Sequence, residues 1–486
     1  MAISFNQIPA DRKVPFVYIE FDNKRAITGP GVQPYRALLI GQKTSYGSQA
    51  AEVPVSLSTP DQARGYFGEG SMLHKMSQYF FQNNSTTETW AVALDDSGAA
   101  ASGSFVFSGP ATDSGTVYAY IGGEQIQVSV ANGDTASTIS AALAAAINAD
   151  DQLEVIATDS SGTVNIIAKN AGAKGNEIDI RVNYNDGEEL PAGVGVTVNA
   201  LSSGSGEPSI QDAIDAIGSE QYNVIIHPYT DSTNLGDLED ELDSRWGPLV
   251  QNDGVAITSK RDSYANLVTL GDARNSPHSS ILAGTGIPQS PWNLAAAAGA
   301  RVSASAQIDP ARPFQTLQLT GLNVPSILDR LLDSQRDQLL KHGIATVVPS
   351  PGGILRIERM RMTYKENEVG APDESYADMN TVLTLSYLRY SLRTRIQLRY
   401  PRHKLADDGT RYAAGQAVVT PKVLRSEIIL LFKEWEELAL VEGISQFKAD
   451  LIVERNANDK SRIDVLMPPD LVNQLRVVGA QIQFLL

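Results

Sequence analysis

The sequence contains no cysteine. That excludes a disulfide framework, a thiolate zinc site and a cysteine nucleophile. Histidine is scarce: there are five in 486 residues, at 74, 227, 278, 342 and 403. No two are close in sequence, so a histidine-rich metal motif is not expected. No apolar run approaches the length of a membrane span. The opening Met1-Ala-Ile-Ser-Phe-Asn-Gln-Ile-Pro9 lacks the basic and apolar regions of a secretory signal. The default expectation is a soluble protein made and kept in a cytoplasm. Positive charge is in deficit, with 39 Lys and Arg against 56 Asp and Glu, a net of −17. Such a chain is poorly suited to coating nucleic acid through its overall field.

Nucleotide and catalytic motifs are also missing. There is no G-x-x-x-x-G-K-[ST], no G-x-S-x-G and no H-E-x-x-H. Gly284-Thr-Gly286 and Gly193-Val-Gly195 each lack the third glycine of G-x-G-x-x-G. No cofactor and no metal are expected. Hydrophobic residues at 42% and charged residues at 20% are ordinary for globular chains. The length predicts about three domains.

Charge is unevenly spread. Residues 97–220 hold 16 acidic and three basic residues, a net of −13. Residues 351–486 hold 19 basic and 18 acidic, a net of +1. The patterning agrees with a division. Strands and helices alternate over 21–96 and again over 207–350, which predicts parallel βαβ units in an α/β core domain. Arg36-Ala-Leu-Leu-Ile-Gly41 and Tyr222-Asn-Val-Ile-Ile-His227 read as strands buried on both faces. Thr59-Pro60 opens a helix, and 71–82 gives another. Residues 97–206 are rich in Gly, Ser and Ala, with short strands around one helix at 136–148. They read as a β-rich domain inserted into the core. A long amphipathic helix is expected over 324–341, with strands at 344–348 and 354–362. In the last third, 378–400 and 421–441 read as helices. Strands follow at 446–454 and 462–467 as a hairpin, and Pro468-Pro469-Asp470 opens a short helix. Residues 1–13 look like an arm, and Val14-Pro-Phe-Val-Tyr-Ile-Glu-Phe21 like a strand. At the other end, Ile482, Phe484 and Leu486 alternate as in a strand that needs a sheet to join.

Three features invite a functional reading. His227 ends a buried strand where open α/β sheets usually bind ligands, which makes it the best single catalytic candidate. No nucleophile or carboxylate partner can be identified for it. His74 and His342 fall on helix patterns and read as structural. Asp95-Asp96 and Glu188-Glu189 read as solvated turn residues. The helix over 378–400 carries Arg389, Arg393, Arg395 and Arg399 along the margins of a Leu385–Leu388–Leu392–Ile396 stripe. Those guanidinium groups suit either a partner's carboxylates or acidic neighbours such as Glu434, Glu436 and Glu437.

Taken together, several segments resemble contractile-tail sheath proteins. They are Tyr400-Pro-Arg-His-Lys-Leu-Ala-Asp-Asp-Gly409, Thr420-Pro421, Phe447-Lys-Ala-Asp-Leu-Ile-Val-Glu-Arg455, Ser461-Arg-Ile-Asp464 and the final strand. The start, Ile3-Ser-Phe-Asn-Gln-Ile-Pro9 and Val14 to Asp22, resembles the Mu-like phage branch. The resemblance implies a subtilisin-like, non-catalytic core of open parallel sheet and an inserted outer domain at 97–206. It also implies an inner α+β C-terminal domain at 351–476 that contacts the tail tube. Terminal arms, 1–20 and 477–486, would be exchanged with neighbouring subunits. Val14, Phe16, Tyr18, Ile482, Phe484 and Leu486 are then candidates for strand exchange, and Arg389, Arg393, Arg395 and Arg399 for holding the tube. The implied partners are the chain itself, the tube protein, and baseplate and tail terminator proteins. Neither nucleic acid nor stable membrane insertion is implied. The implied place is a virion tail assembled in the host cytoplasm. A hydrolase on the same scaffold, or a surface-binding module in 97–206, is the alternative.

Overall fold

The computed structural model describes residues 33–485 apart from residue 414. Val14, Phe16, Tyr18 and Leu486 therefore lie outside the described residues. The described chain is mixed α/β with several sheets and divides into two compact units. One comprises residues 34–387 with 473–485, the other residues 388–472.

The larger unit is built on an eight-stranded sheet. Its order is Leu355–Arg359, Ile344–Pro349, Ser279–Ala283, Val255–Lys260, Val224–Ile226, Arg36–Gln42, Glu88–Leu94 and Val55–Leu57. The five inner pairings are parallel and the two outermost antiparallel. Strand Arg36–Gln42 shows why a parallel sheet reads as a continuous apolar run. Ala37 and Leu39 join one core with helices Met72–Asn83 and Pro291–Ile308. Leu38 and Ile40 join a second core with helices Ile210–Ile217 and Ser232–Trp246 on the other face. Helix Pro291–Ile308 sits close because its sheet-facing residues are small. A Cβ at Gly299 would lie 2.4 Å from Ile226 Cδ1.

The insert leaves and re-enters this core through a two-way bridge. Ala99 N donates to Ser205 O at 2.9 Å, and Ser205 N to Ala99 O at 3.1 Å. Beyond the bridge are an antiparallel sheet of four strands and another of three. Helix Ala136–Ala149, capped by the Thr135 hydroxyl, buries Ile139, Leu143 and Ile147.

Residues 388–472 form the smaller unit. Most of helix Met379–Arg399 lies in it, with helices Pro421–Glu437 and Ile444–Asp450. Thr420 caps the second, with Pro421 at its first turn. Phe432 stacks on Phe447 with ring centroids 3.9 Å apart. Strands Ile452–Arg455 and Ile463–Leu466 pair antiparallel, Ile452 facing Leu466.

Several expectations change. Residues 351–387, assigned from sequence to the C-terminal domain, fall in the larger unit because Leu355–Arg359 closes its sheet. The helix expected over 324–341 begins only at Asp333, after a short 3-10 turn at Ile327–Asp329. Residues 446–450 belong to helix Ile444–Asp450, because Phe447 turns inward onto Phe432. The strand begins at Ile452. Asp470–Leu471 is a strand paired with Val441–Glu442 in place of the expected helix. The expected strand over 477–486 pairs with no sheet among the described residues.

Candidate functional site

The carboxyl end of the parallel sheet is the first place to look for chemistry. His227 lies there, fully buried, with its backbone N donating to Ile257 O. Neither ring nitrogen finds a hydrogen-bond partner among the described residues. Burial, and then the Lys174 charge, push its pKa down to about 3, so the ring is neutral at pH 7. No carboxylate hydrogen-bonds to it to select a tautomer, as a general base would require. The ground above is occupied by the chain itself. The 3-10 turn Ala173–Glu177 of the insert brings in Lys174, whose Nζ donates to Glu177 Oε1 at 2.9 Å and Thr230 Oγ1 at 2.6 Å. Lys260 Nζ donates to the same Glu177 oxygen at 2.8 Å, and Arg261 N to the other at 3.1 Å. Burial pushes the Glu177 carboxyl up, but Lys174 and Lys260 outweigh it and hold its pKa below the ordinary value. Beside them, burial raises Glu207 to about 7.

A second plug works through Glu154 of the insert. Its carboxylate accepts from Ser290 Oγ at 2.5 Å, Trp292 Nε1 at 2.8 Å and Asn293 Nδ2 at 3.1 Å. These residues start helix Pro291–Ile308, where a negative charge is favoured by the helix dipole. Asp96 is more than a solvated turn residue. It accepts from Gln42 Nε2, Asn170 Nδ2 and Ala171 N at 2.8, 2.9 and 3.0 Å, tying the neck of the insert to the core. Glu188 likewise accepts from Tyr120 OH at 2.5 Å. These partners lie tens of residues away and leave no local signal in the sequence. Among the described residues, no cluster of His, Asp or Glu is arranged to hold a metal. No helix there is long and apolar enough to cross a membrane.

The arginine helix is arranged differently from its expected stripe. Leu388, Ser391 and Arg395 form its buried row, while Leu392 and Ile396 are half-buried. Arg395 is thus central rather than marginal. Its Nη1 donates to Glu427 Oε1 at 3.0 Å and its Nη2 to Glu434. Arg399 Nη1 donates to Glu427 Oε2 at 2.9 Å, and Trp435 Nε1 to Ser391 Oγ at 2.9 Å. Glu434 is one of the expected acidic neighbours. Glu436 instead accepts from Ile444 N at 3.2 Å, and Glu427 was missed. The signal was present: Glu427 stands inside the buried row of Leu424, Ile428, Leu431 and Trp435. A carboxylate in such a row calls for a buried cation. Arg389 and Arg393 are half-buried.

Two features leave backbone without a strand partner among the described residues. The ribbon of Ile452–Arg455 and Ile463–Leu466 has no third strand among the described residues. Ile452, Val465 and Leu466 on it are 40–63% exposed. Residues 477–485 carry Ile482 at 88% and Phe484 at 78% exposure. Apolar side chains so exposed in an unpaired segment mark an interaction surface.

Residues 203–363 match the phage tail sheath protein central domain, and 371–484 the phage tail sheath C-terminal domain. The chain is 42% identical to the Mu-like prophage FluMu tail sheath protein of Haemophilus influenzae, with all of both chains covered. The contracted PVC sheath complex of an extracellular contractile injection system superposes with a TM-score of 0.50 at 8% identity, over 98% of each chain. A sheath tail protein of Desulfitobacterium hafniense gives a TM-score of 0.49 at 12% identity, over 94% of this chain and 100% of that one. The likeness to the PVC sheath concerns the fold alone. By its full-length identity and its two matching domains, the chain belongs to the phage tail sheath family and is a structural subunit of a contractile tail.

Proposed function

We propose that the chain polymerises as a helix around the tail tube and stores free energy in an extended lattice. A baseplate trigger releases that energy by rearrangement into a shorter, wider lattice, which drives the tube through the host envelope during genome ejection. Terminal arms hold neighbours together while the bodies of the subunits rotate. The observation that carries this reading is the pairing of an apolar unpaired arm with an open-edged ribbon in one chain. Adding a strand to such an edge is β-augmentation. Each backbone bond contributes about 0.5–1.5 kcal/mol, and each fully buried Ile or Phe about 1.5–3 kcal/mol.

The parallel sheet is read as a subtilisin-like scaffold used without catalysis. The burial of His227 and the insert residues packed above it support that reading. The inserted segment is assigned to the outside of the sheath and the arginine helix to the tube side. Arg389, Arg393, Arg395 and Arg399 are the proposed tube-side residues of that helix. Arg395 and Arg399 also pair with Glu427 within the chain, which fixes the helix. The tube, baseplate and tail terminator are the proposed partners, and a virion tail assembled in the host cytoplasm the proposed place.

The absence of native cysteine makes a clean test. Chains carrying Phe484→Cys are mixed with chains carrying Ile452→Cys, Val465→Cys or Leu466→Cys, assembled and oxidised. Strand exchange predicts disulfide-linked pairs in assembled sheaths with at least one ribbon position. Assembled sheaths that yield none at any position would refute the exchange.

A further inference from the structure

The C-terminal arm does not spring from the unit that precedes it. Asp470–Leu471 pairs with Val441–Glu442, and Val472 N donates to Leu440 O at 3.2 Å, all within residues 388–472. From Asn473 the chain belongs to the larger unit. Gln315 Nε2 donates to Leu475 O at 3.2 Å, and Gln474 Nε2 to Ala311 O at 3.3 Å. Arg476 then closes a clasp. Its Nη2 lies 3.2 Å from Asn380 Oδ1 and 3.4 Å from Asp378 Oδ1, and its Nη1 lies 3.4 Å from Gln315 Oε1. None of these contacts is short, but the pair is well shielded, with the Arg476 and Asp378 side chains 16% and 15% exposed. Asp378 is itself held by Arg359 of the sheet through two bonds of 2.8 Å. Asn380 is held by donating to Pro310 O and Arg312 O at 2.9 and 2.8 Å. Past Arg476, the next two residues, Val477 and Val478, are 84% and 74% exposed.

We propose that Arg476 is the anchor of the exchanged arm. It passes tension from a neighbouring subunit through Asp378 and Arg359 into the eight-stranded sheet, so the pull does not run through residues 388–472. It also fixes the point from which the arm starts, residues 477–486 spanning at most about 36 Å when fully extended. The inference rests on the arm-exchange reading above. It adds the position of the arm's root and the residue that holds it.

The full chain tests it with Arg476→Gln, Arg476→Lys and Gln315→Ala, the last removing both an acceptor of Arg476 and the donor to Leu475 O. In the unassembled chain, Arg476→Gln is expected to speed hydrogen exchange at residues 474–477 about tenfold while the sheet amides stay unchanged. Arg476→Lys should restore part of the protection, and Gln315→Ala should lose protection at the same residues. In sheaths assembled on tubes and then triggered, Arg476→Gln should shed subunits on contraction, with Arg476→Lys retaining more of them. Unchanged exchange in Arg476→Gln would overturn the clasp. Faster exchange with contracted sheaths as intact as the wild type would reduce Arg476 to a local structural role and overturn the anchor. Should Arg476→Gln fail to fold, Gln315→Ala decides in its place: exchange at these residues unchanged from the wild type would overturn the clasp. A chain ending at residue 476 separates the two claims. If it assembles and contracts normally, the arm-exchange reading falls; if it fails while Arg476→Gln sheaths contract intact, only the anchor falls.

Discussion

Arg395 Nη1 lies 3.0 Å from Glu427 Oε1, and each side chain is 7% exposed. Two helices separated by a long loop are thus joined by a desolvated ion pair, which Glu434 and Arg399 extend. Such a network is costly to break from one side, because the survivor is left as a buried uncompensated charge.

Glu427→Ala is therefore expected to destabilise residues 388–472 by about 3–5 kcal/mol. The double change Arg395→Met with Glu427→Leu should recover most of that loss, since an apolar pair of similar size packs in the same row. Urea unfolding followed by tryptophan fluorescence would report both, Trp435 being in the same helix pair. Equal destabilisation by the single and double variants would contradict the pair's role.

Glu154→Ala removes the shared acceptor of Ser290, Trp292 and Asn293. Leaving buried donors unsatisfied costs about 1–3 kcal/mol. The expected outcome is faster hydrogen exchange at the start of helix Pro291–Ile308 and easier proteolysis of the insert's attachment, with the four-stranded sheet of the insert unaffected. Uniform loss of protection throughout the chain would argue against a local docking role.

The pH dependence of stability carries two opposed contributions. His227 is depressed to about 3 when folded. Its unfolded form takes up a proton near pH 6.5, so stability is lost as pH falls from 6.5 towards 3. Glu207 is raised to about 7. Its unfolded form loses a proton near pH 4.5, so stability is lost as pH rises from 4.5 through 7. His227→Leu should flatten the acid limb of a melting-temperature profile, and Glu207→Gln should raise the melting temperature at pH 8 more than at pH 5. A profile of either variant parallel to the wild type would contradict the corresponding assignment.

Local grammar was legible in the sequence, long-range partners were not. Thr59 acts as the N-cap its position predicts. The hairpin turning at 456–460 forms as its polar residues predict. The arginine stripe failed because apolar periodicity alone placed Leu392 and Ile396 inward. Trp435 and Glu427 of a distant helix instead selected the row of Ser391 and Arg395. Phe447 reads equally well in a strand or a helix, and its stacking on Phe432 decides. The period-2 pattern ending in Ile482 and Phe484 names a strand, but one chain contains no sheet for it among the described residues. The partner, on the proposed reading, is another copy.

The most direct test of the account is electron microscopy of the full chain beside a chain ending at residue 476, each mixed with tail tubes and baseplates. Continuous sheaths from the full chain, with dispersed particles from the shortened one, are the predicted result. Sheaths of equal length and regularity from both would contradict the claim that the exchanged C-terminal arm holds the lattice together.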